Sequence, residues 1–201
     1  MKKNATSLGR PREYDIELAV EKAMAVFWSK GYEGTSLLDL TTAMKISRPS
    51  LYAAFGNKEQ LFLRVLDKYR AEPASYLARS LEEPTARAAF ESLLEGAIRL
   101  QAGGTLPLGC LYVQGALATN EAFDAIRQEL VSRRFAGEEA IRTRFEKAKS
   151  DGDLPTDSSP TDLAKFTVTV LHGLAVQAAS GDNIDELRQV ARIALNAFPG
   201  K

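Results

Sequence analysis

In the stretch "KISRPSLYAAFGNKEQL" (45–61), Ser47, Arg48, Ser50, Tyr52 and Lys58 gather hydroxyls, a guanidinium, a phenol and an ammonium into one short segment. These donors suit a polyanion such as double-stranded DNA. Arg48 could contact a phosphate or a guanine edge, Ser50 is short enough for a polar contact, and Tyr52 can donate to phosphate. Ala53 leaves room for a helix to approach a thymine methyl. Thr35 at one helix start and Lys58 at another would set backbone N–H groups and a charge against phosphates. Pro49 fixes how the set is presented. Proline breaks a helix interior but is tolerated in the first turn, where its missing N–H has no intrahelical partner to lose. With Ser47 as N-cap, Arg48 is the first helical residue and Pro49 the second, so the proline starts the helix and stiffens its tip. Arg48, Pro49, Ser50 and Ala53 are then the candidates for reading base sequence. A short helix with Ile46, Leu51 and Phe55 inside and the polar residues outside is equally normal in any helical bundle.

The elements that would hold these residues are helical throughout. Ile16, Ala19, Val20, Ala23, Phe27 and Trp28 recur on one helical face, with Asp15 as the expected N-cap and Gly31 as the stop. A second helix follows Thr35 or Ser36 and buries Leu37, Leu40, Ala43 and Met44. A fourth starts at Asn57, with Asn57 and Gln60 as a capping box and Leu61, Phe62, Val65, Leu66 and Tyr69 as its apolar stripe. Further helices are expected over 84–101, 109–119 and 121–149. One more begins at Ser159–Pro160 with Asp162 closing a capping box, and the last runs from Asn183, boxed with Glu186, to just before Pro199. No strand alternation is visible. The expected fold class is all-α, with about nine helices. Three short helices in the first 55 residues make a helix-turn-helix candidate, a motif that reads DNA with the N-terminal residues of its second helix.

Composition narrows the function classes. The 201 residues carry 26 basic and 26 acidic side chains, a formal net charge of zero. The basic residues are concentrated at the front, where Lys2, Lys3, Arg10 and Arg12 have no acidic neighbour, ahead of a mildly acidic body. A single cysteine excludes an intrachain disulfide and fits a reducing cytoplasm, the expected location. The most apolar run, Phe166 to Ala179, is too short and too interrupted to cross a bilayer, so no membrane association is expected. No G-x-S-x-G, P-loop, H-E-x-x-H or CxxC motif is present, and one histidine leaves few general bases, so an enzyme is not expected.

The stretch "GYEGTSLLDLTTAMKISRPSLYAAFGNKEQLF" (31–62) resembles the N-terminal signature of TetR/AcrR-family transcriptional regulators. Gly31, Tyr32, Thr35, Ser36, Ile46, Ser47, Ser50, Leu51, Tyr52, Phe55, Lys58, Glu59 and Leu61 match it at fixed spacing. The upstream "GRPREYD" (9–15) is similar to the family's entry to its first helix. Two departures stand out: Lys45 occupies a turn where the family usually has Gly, and Pro49 a position that is often Gly. The resemblance implies a DNA-binding domain over 1–56 with a basic arm, a connecting helix over 57–74, and an effector-binding and dimerisation domain over 75–201. It implies a homodimeric repressor released from an operator by a small molecule, with helices at about 160–180 and 184–198 as the dimer interface. Its DNA-contacting set would be Arg10, Thr35, Lys45, Ser47, Arg48, Pro49, Ser50, Tyr52, Ala53 and Lys58.

Cys110 opens a helix after the glycines and Pro107 of "GGTLPLGCLYVQGALA" (103–118). It reads as a buried inert cysteine, a reactive thiol or a metal ligand. The Gly-Cys opening is similar to a subset of the family that includes a copper-responsive repressor. His172 and the methionines Met1, Met24 and Met44, however, supply few soft ligands, so neither a metal site nor a cofactor is expected. Pocket walls are expected from Phe90, Leu94, Ile98, Cys110, Tyr112, Phe123, Phe166 and His172, although spacing does not separate pocket lining from core.

Overall fold

The structure, a computed structural model, describes residues 13–102, 104, 106–114 and 124–200, with the side chains of 13–15 left aside. These residues form ten α-helices and no strand: α1 (Glu13–Gly34), α2 (Leu37–Met44), α3 (Arg48–Phe55), α4 (Lys58–Ala71), α5 (Tyr76–Ser80), α6 (Ala86–Ala102), α7 (Leu111–Gln114), α8 (Asp124–Ser150), α9 (Pro160–Ser180) and α10 (Ile184–Ala197). Short α5, preceded by a 3-10 turn at Pro73–Ser75, was not expected from the sequence: five residues offer no readable apolar period. Arg10 and Phe123 lie outside the described residues, as does most of the expected 109–119 helix beyond Gln114.

Helix ends follow side-chain chemistry. α1 already runs from Glu13, so Asp15 lies inside it and is not its cap. Gly31 breaks α1 with φ 70°, a conformation that costs glycine little, and its neighbours turn the chain toward α2. Full reciprocal capping boxes form at Ser36/Asp39 and Asn183/Glu186. At the other two expected boxes only half is made, with Asn57 accepting from the Gln60 N–H and Ser159 from the Asp162 N–H.

Two clusters of buried side chains hold the molecule. One gathers α1–α4 around Phe27, Trp28, Leu40, Leu51, Phe62 and Leu66, and takes in Leu111, Ile126 and Leu130. The other gathers α6, α9 and α10 with Ile141 and Phe145 of α8, and closes on Phe198. α8 therefore enters both clusters, its N-terminal half in the first and its C-terminal half in the second. Phe27 and Phe62 meet edge-on at 4.8 Å, as do Trp28 and Tyr69, which fixes α4 against α1. No described helix is long and apolar enough to cross a membrane.

Candidate nucleic-acid interface and ligand cavity

The turn between α2 and α3 sets the first site. Lys45 takes the left-handed conformation (φ 57°, ψ 43°) and is the one non-glycine residue with positive φ among those described. The Lys45 N–H reaches the carbonyls of Thr41 and Thr42, and the Ile46 N–H donates to the Thr41 carbonyl at 3.1 Å. This closes α2 without the glycine that such a cap ordinarily uses. The chain leaves the turn at Ser47, whose Oγ accepts from the Ser50 N–H at 3.2 Å and lies 2.8 Å from the Ser50 Oγ. Arg48 and Pro49 are the first two residues of α3. Leu51 and Phe55 anchor the inner face, while Lys45, Ser47, Arg48, Pro49, Ser50, Tyr52 and Ala53 are all exposed on the outer one. The tip of α3 thus stands clear of the core, held by a cap, a proline and two buried anchors.

Two of the expected contacts sit differently. Thr35 is buried, only 1% exposed, and its hydroxyl donates to the Gly31 carbonyl at 2.6 Å. Its side chain braces the Gly31 break, so it is unavailable to phosphate. Lys58 opens α4 with its ammonium 4.3 Å from the centre of the Tyr32 ring. Partial burial pushes its pKa down, against the pull of Glu33 and Asp39. Asp39, the one carboxylate of α2, is held well below the usual carboxylate range by hydrogen bonds from Lys30 (2.5 Å) and then Ser36. Its charge is thereby matched by the Lys30 ammonium.

A cavity of about 780 Å³ opens between α4, α5, α6, α8 and α9. Cys110, Tyr112 and His172 line it, as expected. Phe90, Leu94, Ile98 and Phe166 do not: the first three are core side chains, and Phe166 packs on that core with its ring 5.8 Å from Phe90. The physical reason is that α6 turns its continuous apolar stripe toward α9 and α10. Of α6, only Ala97, Leu100 and Gln101, near its C-terminal end, line the cavity. The lining not expected from the sequence is both apolar, as at Leu77, Leu100 and Leu171, and polar, as at Tyr69, Tyr76, Arg133 and Arg134. Tyr69 had been assigned to the core stripe, which it joins while also lining the cavity. Tyr76 falls between the helices expected over 57–74 and 84–101, and Arg133 and Arg134 fall inside the one expected over 121–149.

The polar lining is firmly positioned. Buried Gln101 donates to the Gly109 carbonyl at 3.3 Å and accepts from the Gly109 N–H at 2.7 Å, pinning the loop that delivers Cys110. Gly109 has φ 90°, and a Cβ there would come within 3.2 Å of Ala179 on α9. The Tyr69 hydroxyl reaches the Cys110 Sγ at 3.4 Å, and the Tyr112 hydroxyl donates to the Leu66 carbonyl at 3.1 Å. Arg134 Nη1 donates to the Tyr112 carbonyl at 2.8 Å. Burial pushes the phenols of Tyr69, Tyr76 and Tyr112 upward, so all three are neutral donors near neutral pH. His172 is shifted down, first by burial and then by Arg134, which favours the neutral imidazole. No group of three or more potential metal ligands occurs among the described residues.

Comparison with known proteins places this arrangement. Residues 19–65 match the family described as bacterial regulatory proteins, tetR family, and residues 86–194 match the tetracyclin repressor-like C-terminal domain. The chain is 31% identical to the HTH-type transcriptional repressor ComR of Escherichia coli K12, across 96% of this chain and 93% of that protein. It is 32% identical to the repressor BdcR of the same organism, across 98% and 95%. Among solved structures, a cysteine mutant of the TetR family transcriptional regulator CifR, complexed with 26-base-pair double-strand operator DNA, superposes with a TM-score of 0.90. It is 40% identical, over 94% of this chain and all of that one. An N-terminal helix-turn-helix match, a C-terminal domain match spanning more than half the chain, and full-length likeness to repressors agree: this chain belongs to the TetR family of transcriptional regulators.

Proposed function

We propose that the protein is a homodimeric repressor that binds double-stranded operator DNA through α3 and is released by a small-molecule effector held in the α4–α9 cavity. The observation that carries this is the exposed, capped and proline-stiffened tip of α3, with Arg48, Ser50, Tyr52 and Ala53 on one outward face. The likeness to CifR, whose structure is a complex with operator DNA, supports the DNA-binding part of this reading. In this reading residues 1–56 meet DNA, 57–74 connect, and 75–201 bind effector and dimerise. Arg10, Lys45, Ser47 and Lys58 add contacts to the backbone, and Thr35 acts only by bracing α2. The partner helices are α9 and α10, whose Val176, Val190 and Ile193 are exposed large apolar side chains. The protein works in the cytoplasm, by binding rather than by catalysis.

The test is a mobility shift of the full chain against the DNA upstream of its own gene, compared with shuffled DNA over a range of salt. Preferential binding that falls steeply as salt rises, through counterion release, supports the reading. Equal affinity for shuffled DNA overturns it.

A further inference from the structure

Three acidic side chains of the cavity lining, Asp67, Glu129 and Glu138, face three basic ones, Arg70, Arg133 and Arg134, but the pairing among them is uneven. Arg133 is matched by Asp67 at 2.8 Å and Glu129 at 2.7 Å, and Glu138 by Lys165 at 2.6 Å. Arg134 lines the same cavity, half-buried, and no described carboxylate lies within 4.0 Å of it. Among the described residues its one hydrogen bond spends Nη1 on the Tyr112 carbonyl. A partly desolvated cation without a counter-ion is unfavourable, and the natural remedy is an anion with planar oxygens, which a guanidinium holds through two parallel hydrogen bonds. Tyr76 stands by as a second donor. Its side chain packs against α6, where a Cβ on Gly96 would collide with it, and its hydroxyl makes no hydrogen bond among the described residues. Tyr76 and Arg134 line one cavity together with Cys110. Leu77, Leu81, Leu100, Val168 and Leu171 supply an apolar part of the wall.

We propose that the cavity binds an amphipathic organic anion, its carboxylate seated against the Arg134 guanidinium and the Tyr76 hydroxyl, its apolar body along Leu77, Leu100 and Leu171. This rests on reading the cavity as the effector site, and it names the effector's chemical class.

The experiment is calorimetric titration of the DNA-free full chain with 1-naphthoate, its uncharged isostere 1-naphthamide, and 1-naphthylmethylamine, repeated with octanoate against octanamide. Each acid binds about tenfold or more tightly than its amide, and the amine binds most weakly. R134Q brings the acid down to the affinity of the amide without changing the amide, and R134K keeps a preference for the acid. An amide that equals or exceeds its acid in both pairs, an acid that gives no heat up to millimolar concentration, or an R134Q variant that keeps the full preference overturns the proposal. If R134Q does not fold, the wild-type acid-to-amide ratios decide. A mobility shift on the same preparations separates the two readings. Charge preference lost with operator binding intact strikes the anion assignment alone, and the reverse strikes the regulator reading alone.

Discussion

On α3, Arg48, Ser50, Tyr52 and Ala53 stand on a convex face whose underside is anchored by Leu51 and Phe55. Around the cavity, Tyr69, Tyr76, Arg134 and His172 stand on a concave one. The first face is built from eight consecutive residues, positioned by a cap, a proline and one helical period. The second is assembled from five helices distant in sequence, and part of its lining is tied by hydrogen bonds between separate elements, such as Arg134 of α8 to Tyr112 of α7 and Gln101 of α6 to the loop at Gly109. A local surface tolerates only local change. An assembled one responds to movement of any of its walls, which suits a sensor.

That contrast can be broken or sharpened by substitution. The largest expected effect is on stability. Phe90 is fully buried and stacked on Phe198 at 4.5 Å, so Phe90→Ala costs on the order of 3–5 kcal/mol in urea denaturation. A cost below about 1 kcal/mol together with an altered ligand affinity would return Phe90 to the cavity and erase the distinction between core and lining. Next comes Arg48→Ala, expected to weaken operator binding by about 1–3 kcal/mol and to relax preference at one base pair, with the melting temperature unchanged. Uniform weakening across all sequences would make Arg48 a phosphate contact instead. Lys45→Gly relieves a left-handed lysine, with a stability gain of up to about 1 kcal/mol after the greater flexibility of glycine in the unfolded chain is set against it. A loss of stability would mean that the lysine side chain contributes more than its backbone costs.

The smallest effect is a pH dependence. The folded-state pKa of His172 lies below its ordinary 6.5, so the unfolded chain binds more protons in that window. Stability is therefore full above about 6.5 and falls as pH drops through the folded value. The groups around the imidazole are Arg134, Glu138 and Lys165. Melting curves between pH 7 and 5.5 should slope downward for the wild type and flatten for His172→Gln, and equal slopes would assign the effect elsewhere.

The same contrast explains what could be read from the chain alone. Helix periods gave the elements, because Leu61, Phe62, Val65, Leu66 and Tyr69 can face one way only. The α3 face was legible by subtraction, since whatever is not core on a short capped helix must point outward. Thr35 failed that logic: a threonine at a helix start looks like a cap, but Ser36 took the role and Thr35 turned inward. In the cavity, subtraction has nothing to work on. Phe90, Leu94 and Ile98 share their period with real core and are core, whereas Tyr76 and Arg134 carry no apolar signal and reach the cavity only through the packing of α5 and α8 against α6 and α9.

α8 gives the two halves a mechanical relation. Twenty-seven residues of helix make a rod of roughly 40 Å. One end is gripped by Leu130 among the side chains around Trp28, the other by Phe145 among those around Phe90, and Arg134 and Gly137 lie on the span between. A rod clamped at both ends does not yield in the middle alone. A load applied at its midpoint is carried to the two grips, one of which is the packing that supports α3.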